Sequence, residues 1–143
     1  MAGINSTPVF VKDGQYLSLT ADNAVTIGNV VQFTATGTDT CDVGAANTTI
    51  VGVAVGGDRF SRTQTNNVIA AGSKVTVCTR GIVRVYTGVS AILKGSFVEA
   101  GAAGIVELAG TAGGADSAQD VIGVALDANG SAATTVRVAL MRF

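Results

Sequence analysis

The sequence has no histidine, no tryptophan, one proline (Pro8) and two cysteines. Each shortage removes a class of function. Without histidine, the commonest general base and metal ligand at neutral pH are missing. A Ser-His-Asp or Cys-His nucleophile and an HExxH zinc site are therefore excluded. Cys41 and Cys78 stand in no CxxC spacing and have no histidine to complete a metal site. They read as two free thiols behaving as small hydrophobes or as one disulfide, which leaves the redox compartment open. Aromatic residues make up 5% of the chain and charged residues 13%, so any core must be built from Val, Ala, Ile and Leu, with few large anchors. Apolar runs extend for a few residues, far short of the roughly 20 that cross a bilayer. Met1 to Phe10 lacks a basic start followed by an apolar stretch, so no membrane partner and no export signal are expected.

What is present is glycine and pattern. Nineteen glycines punctuate a chain whose mean hydropathy is +0.47, too apolar for a disordered low-complexity segment. At 143 residues one domain is expected. Short apolar runs recur between Gly, Asn, Asp and Ser clusters, which is the rhythm of strands and turns. In KVTVCTR, Val75 and Val77 fall on one face and Lys74, Thr76, Cys78 and Arg80 on the other, as a period of two requires. Strands are predicted at 16–20, 30–35, 50–55, 74–79, 82–87, 96–100, 105–108, 121–126 and 134–141, with a helical turn at 89–93.

The chain also repeats itself. IGNVVQF (27–33) answers KGSFVEA (94–100), IVGVAVGG (50–57) answers VIGVALDA (121–128), and SKVTVCTR (73–80) answers TTVRVALMR (134–142), in the same order. Gly52 to Val75 spans 23 positions while Gly123 to Val136 spans 13, so the first half carries an insert, DRFSRTQTNNVIAAG. Two few-strand units that cannot each bury a sheet face would share a core. The expected fold is all-β, a compact β-barrel or sandwich, pseudo-duplicated, with an extended N-terminal arm (1–14) and one long inserted loop. The β domain would occupy 15–143, in half-units of roughly 24–88 and 89–143.

Charge adds little chemistry. The net charge of −1 divides into −4 over 1–58, +5 over 59–84 and −2 beyond. A basic middle between acidic ends suits complementary packing between neighbouring copies, or simple solvation. Few aromatics accompany the basic residues, and the acidic flanks oppose direct nucleic-acid binding. GSK at 72–74 has the wrong order for a phosphate loop, and GVAVGG at 52–57 is neither GxGxxG nor followed by a helix pattern. Asp39 and Asp42, beside Gly37 and Gly44, read as a turn rather than a weak cation site. A trimeric nucleotide hydrolase of the dUTP pyrophosphatase type would need a glycine-rich C-terminal arm, whereas this chain ends TTVRVALMRF. No catalytic residue, metal or cofactor is expected.

Features of assembly remain. Pro8 limits ladder pairing in the N-terminal segment while Val9, Phe10 and Val11 supply apolar grip, which suits an arm adding to a neighbour's sheet. Arg59, Phe60 and Arg62 in the insert are residue types that often anchor interfaces. These seven residues form the candidate interface.

In AVTIGNVVQF (24–33), IVGVAVGG (50–57), AGSKVTVCTRGIVRV (71–85) and VIGVALDA (121–128), the chain resembles the head-decoration, or capsid cement, proteins of tailed bacteriophages and related viruses. The resemblance implies a non-enzymatic virion protein. Made in the host cytoplasm, it would bind the outer surface of the capsid and reinforce the lattice, with the major capsid protein and other copies of itself, as a homotrimer, for partners. Another virion module, from a tail or fibre and binding receptor or glycan, is the alternative. Many weak contacts repeated across a lattice would supply the affinity.

Overall fold

A computed structural model describes residues 12–46, 48–57, 67–110 and 121–141. Eleven strands account for most of them: β1 Lys12–Ala21, β2 Val25–Thr26, β3 Val30–Phe33, β4 Thr40–Val43, β5 Ile50–Gly57, β6 Val68–Ile69, β7 Lys74–Tyr86, β8 Phe97–Ala100, β9 Val106–Leu108, β10 Val121–Ala125 and β11 Thr135–Met141. The fold is all-β, as the alternation predicts. The expected arm and most of the inserted loop lie outside the described residues, although β1 takes in positions 12–14.

The pairings form two linked rings. β1, β4, β3, β5 and β7 close on themselves, because β1 pairs with β4 on one side and with β7 on the other. The second ring runs β7, β11, β10, β8, β9 and returns to the end of β7 through a parallel bridge between Thr87 and Val106. β7 is shared. Residues 75–78 pair with β5 in the first barrel and residues 80–86 with β11 in the second. The predicted strands at 74–79 and 82–87 are thus one continuous strand.

The second ring repeats the first ladder by ladder. The parallel contact of Ala21 with Cys41 is answered by that of Thr87 with Val106. The row Val30, Val53, Cys78, Tyr16 is answered by Phe97, Val124, Ala139, Ile82. Both rings carry an irregularity at the same place, with Val51 the extra residue in one and Ile122 in the other. Such a bulge turns a strand and sharpens its twist, which a small closed barrel needs. The recurring set of pairings opens with β1 and again with the second part of β7.

The repeated phrase now has a physical cause. A methyl group at Gly52 would overlap the carbonyl oxygen of Cys78 on β7, and one at Gly123 would overlap that of Ala139 on β11. Each glycine lies where a neighbouring backbone crosses at close range. The alanine two residues on is tied to a turn in the same way in both copies. The N–H groups of Gly28 and Gly95 donate to the carbonyls of Ala54 and Ala125, both at 2.8 Å, and the Ala54 and Ala125 N–H groups donate to the carbonyls of Asn29 and Ser96, both at 2.9 Å. Gly28 and Gly95 have φ of +100° and +86°, a region that L side chains avoid.

Two apolar clusters follow. The first barrel is filled by Leu19, Ala21, Val31, Cys41, Val51, Ala54, Val75 and Val77, with Val25, Ile27 and Ile69. The second is filled by Val83, Val85, Val98, Ala100, Val106, Ile122, Ala125, Val136, Val138 and Leu140. That second cluster also takes in Val30, Ile50, Val53 and Cys78 from the outer wall of the first barrel, so the two barrels are packed together. Backbone bonds cross the seam from Tyr86 N–H to Gly28 O (3.1 Å) and from Gly104 N–H to Gly44 O (2.9 Å). The helical turn predicted at 89–93 is absent. Asn129 holds that segment in extended and bent forms through its side-chain bonds to Gly88, Ser90 and Ile92.

Candidate interaction surface

The side chains capable of chemistry are held in structural roles. Cys41 and Cys78 are both buried and unpaired with each other. Burial pushes the Cys41 thiol up to about 11, with the carboxylates of Asp22 and Asp42 adding to the effect. Burial also raises Cys78, against a lowering by backbone hydrogen bonds, and its Sγ donates to the Arg80 carbonyl at 3.1 Å. A thiol kept protonated is a poor nucleophile. Asp39 sits in a turn with φ +59°. Asp42 lies in β4, where Asn23 Nδ2 donates to its Oδ2 at 2.9 Å and the Val43 N–H donates to its Oδ1 at 2.7 Å. The pair read as a turn is thus a turn plus a strand. The Thr34 hydroxyl donates to Asp22. Among the described residues no three His, Cys, Asp or Glu side chains come together in a metal-binding group.

One ion pair stands out in the second barrel. Arg137 donates to Asp127 from Nη2 (2.8 Å), Nε (3.0 Å) and its own backbone N–H (3.0 Å). These bonds to Arg137, side-chain first, hold the Asp127 carboxyl well below the usual carboxylate range. Both side chains are partly exposed, so the pair orients the β10–β11 connection more than it stabilises the fold.

The sequence-predicted interface residues Pro8, Val9, Phe10, Val11, Arg59, Phe60 and Arg62 lie outside the described residues. Of the basic middle band, Lys74, Arg80 and Arg84 share the outer face of β7. Lys74 and Arg80 are exposed, with Lys74 Nζ donating to Thr20 Oγ1 at 2.9 Å.

The surface adds exposed apolar groups that the sequence reading missed. Phe97 on β8 is 56% exposed and heads the outer row that continues through Val124 and Ala139, both partly exposed. Leu17 on β1 and Phe33 on β3 are 42% and 45% exposed, although the positions opposite them, Val77 and Cys41, lie in the first core. They therefore mark an open end of the first barrel. Val89 and Leu93 are exposed on the segment before β8. Strand alternation assigns Phe97 to the outer face, but only the assembled barrels reveal which outer faces are covered.

No family model matches the sequence, nor does any curated protein. The fold, however, has a counterpart among solved structures. The N base of head fiber gp8.5 of bacteriophage phi29 superposes with a TM-score of 0.60 over 90% of this chain and 95% of that one, at 18% identity. At that identity the likeness is one of fold.

Proposed function

We propose that this chain is a bacteriophage virion structural protein that attaches to the outer surface of the head. The observation that carries the reading is the fold match along nearly the whole of both chains to the base of a phage head fiber. The resemblance of the sequence phrases to capsid cement proteins points to the same broad class, a phage virion protein. The buried, protonated thiols and the core of small aliphatic residues suit a protein that works by contact. In this reading copies of the chain assemble, as homotrimers, and bind the major capsid protein. Contact residues are Pro8 to Val11 and the Arg59, Phe60 and Arg62 insert. Many repeated weak contacts reinforce the shell.

A second reading is favoured by the same match: the two barrels serve as the foot of a head-surface fibre or appendage, and the shell gains no strength from them. Co-sedimentation with expanded capsids lacking the protein tests attachment. The full chain should pellet with shells, deletion of residues 1–11 should weaken binding while the circular dichroism spectrum stays all-β, and Arg59→Glu with Arg62→Glu should weaken it further. A full chain that stays in the supernatant would sink both readings. Bound shells that resist pressure or heat no better than bare ones would leave only the fibre foot.

A further inference from the structure

The two barrels are built alike but are not covered alike. On the first barrel the outer row Val30, Val53, Cys78 is 0% exposed, because it shares a core cluster with the second barrel. The same ladder positions on the second barrel are Phe97, Val124 and Ala139, and within the chain Phe97 is left 56% exposed. The mismatch recurs among the residues that fill the barrels. Val83 and Ala100, in the cluster that meets the first barrel, are 0% exposed. Val83 pairs across to β11 and Ala100 to β9. Leu17 and Phe33 hold the same ladder positions in the first barrel, across from β7 and β4. Both lie on the core side and are left largely open.

The chain thus shares one apolar cluster between its barrels and leaves exposed, on each barrel, the counterparts of residues that this cluster buries. From this we infer that the Phe97 face of one copy receives the Leu17 and Phe33 end of the next, in the arrangement that joins the two barrels within a chain. A second copy is the occupant because its first barrel presents Leu17 and Phe33 at the ladder positions that Val83 and Ala100 hold in the buried cluster. Phe97 is the anchor, an aromatic where the internal contact has a valine, and burial of such a group commonly dominates an interface. The contact is heterologous: each copy offers a wall and an end, so copies add head to tail and form a ring if the rotation closes.

The inference does not depend on a shell. A chain that self-assembles yet ignores capsids would keep it and lose the function proposed above. The test uses the purified chain and two exposed-site variants, Phe97→Asp and Leu17→Asp with Phe33→Asp, followed by sedimentation velocity. The unsubstituted chain should self-associate, and each variant should raise the dissociation constant about tenfold or more with unchanged melting. Mixed in equal amounts, the variants should form 1:1 heterodimers and stop there, since one intact wall meets one intact end. Phe97→Ser and Leu17→Ser replace any variant that fails to fold. A monomeric unsubstituted chain, a variant that assembles like it, or a mixture that stays monomeric would each overturn the inference.

Discussion

The two barrels share a ladder, a bulge and a glycine crossing, yet they secure the segment leading into their second strand by different means. In the first barrel a long connection returns as β6, and Val25 and Thr26 pair with Ile69 and Val68 in a two-stranded ladder. In the second, the connection is ten positions shorter, and one buried side chain stands in for the ladder. Asn129 Oδ1 accepts from the Ile92 and Ser131 N–H groups at 2.9 and 3.0 Å, and its Nδ2 donates to the Gly88 and Ser90 carbonyls at 3.1 and 2.7 Å. A buried backbone needs its polar groups paired, by whatever partner is in reach. A side-chain amide with two donors and an acceptor oxygen can do this where no strand is available. The elements that make each barrel close are therefore common to both, and the loop chemistry that seals it is free to differ.

The comparison is broken most severely at the shared glycines. Gly52→Ala and Gly123→Ala each push a methyl into a backbone carbonyl that cannot swing aside, and a loss of about 3 kcal/mol or more is expected. The two should differ in reach. Gly52 faces β7, the strand both barrels share, so its replacement should speed amide exchange in both. Gly123→Ala should open β8 to β11 first, while β3 and β4 stay protected, and equal loosening everywhere would mean that the barrels form one cooperative unit.

Next in size is Asn129→Ala, which leaves buried groups such as the Ile92 N–H without a partner and should cost about 1–3 kcal/mol. Faster exchange at Ile92 and Ser131, with Val25 and Ile69 unaffected, would locate the loss in the second barrel alone. The smallest effect belongs to Asp127→Asn. The folded carboxyl titrates below its unfolded value, so its contribution is present above about pH 4 and fades as the pH falls through the folded value. The variant should melt slightly lower than the parent at pH 7, and the gap should narrow in acid.

Much of the fold can be read from residue order. Val75 and Val77 against Lys74 and Thr76, and Val136, Val138 and Leu140 against Arg137, reveal strand faces because side chains alternate whatever the context. β4 escaped notice because Thr40–Val43 is four residues in a polar stretch, with only Cys41 fully buried. β2 and β6 are two residues each, too short for any period. The strands predicted at 74–79 and 82–87 leave a gap at 80–81, yet β7 runs through it. In the candidate surface, Phe97 was visible only as the residue answering Val30.

What the sequence determined by itself is the unit: its strand faces, which follow from short-range stereochemistry, and the fact that its glycine phrase occurs twice. What the tertiary structure decided is which copy of each face is covered. Val30 and Phe97 hold the same ladder position, and one is fully buried while the other is mostly exposed. Burial depends on what a neighbouring body places against a surface, and that contact joins residues far apart in the chain. No local pattern encodes it.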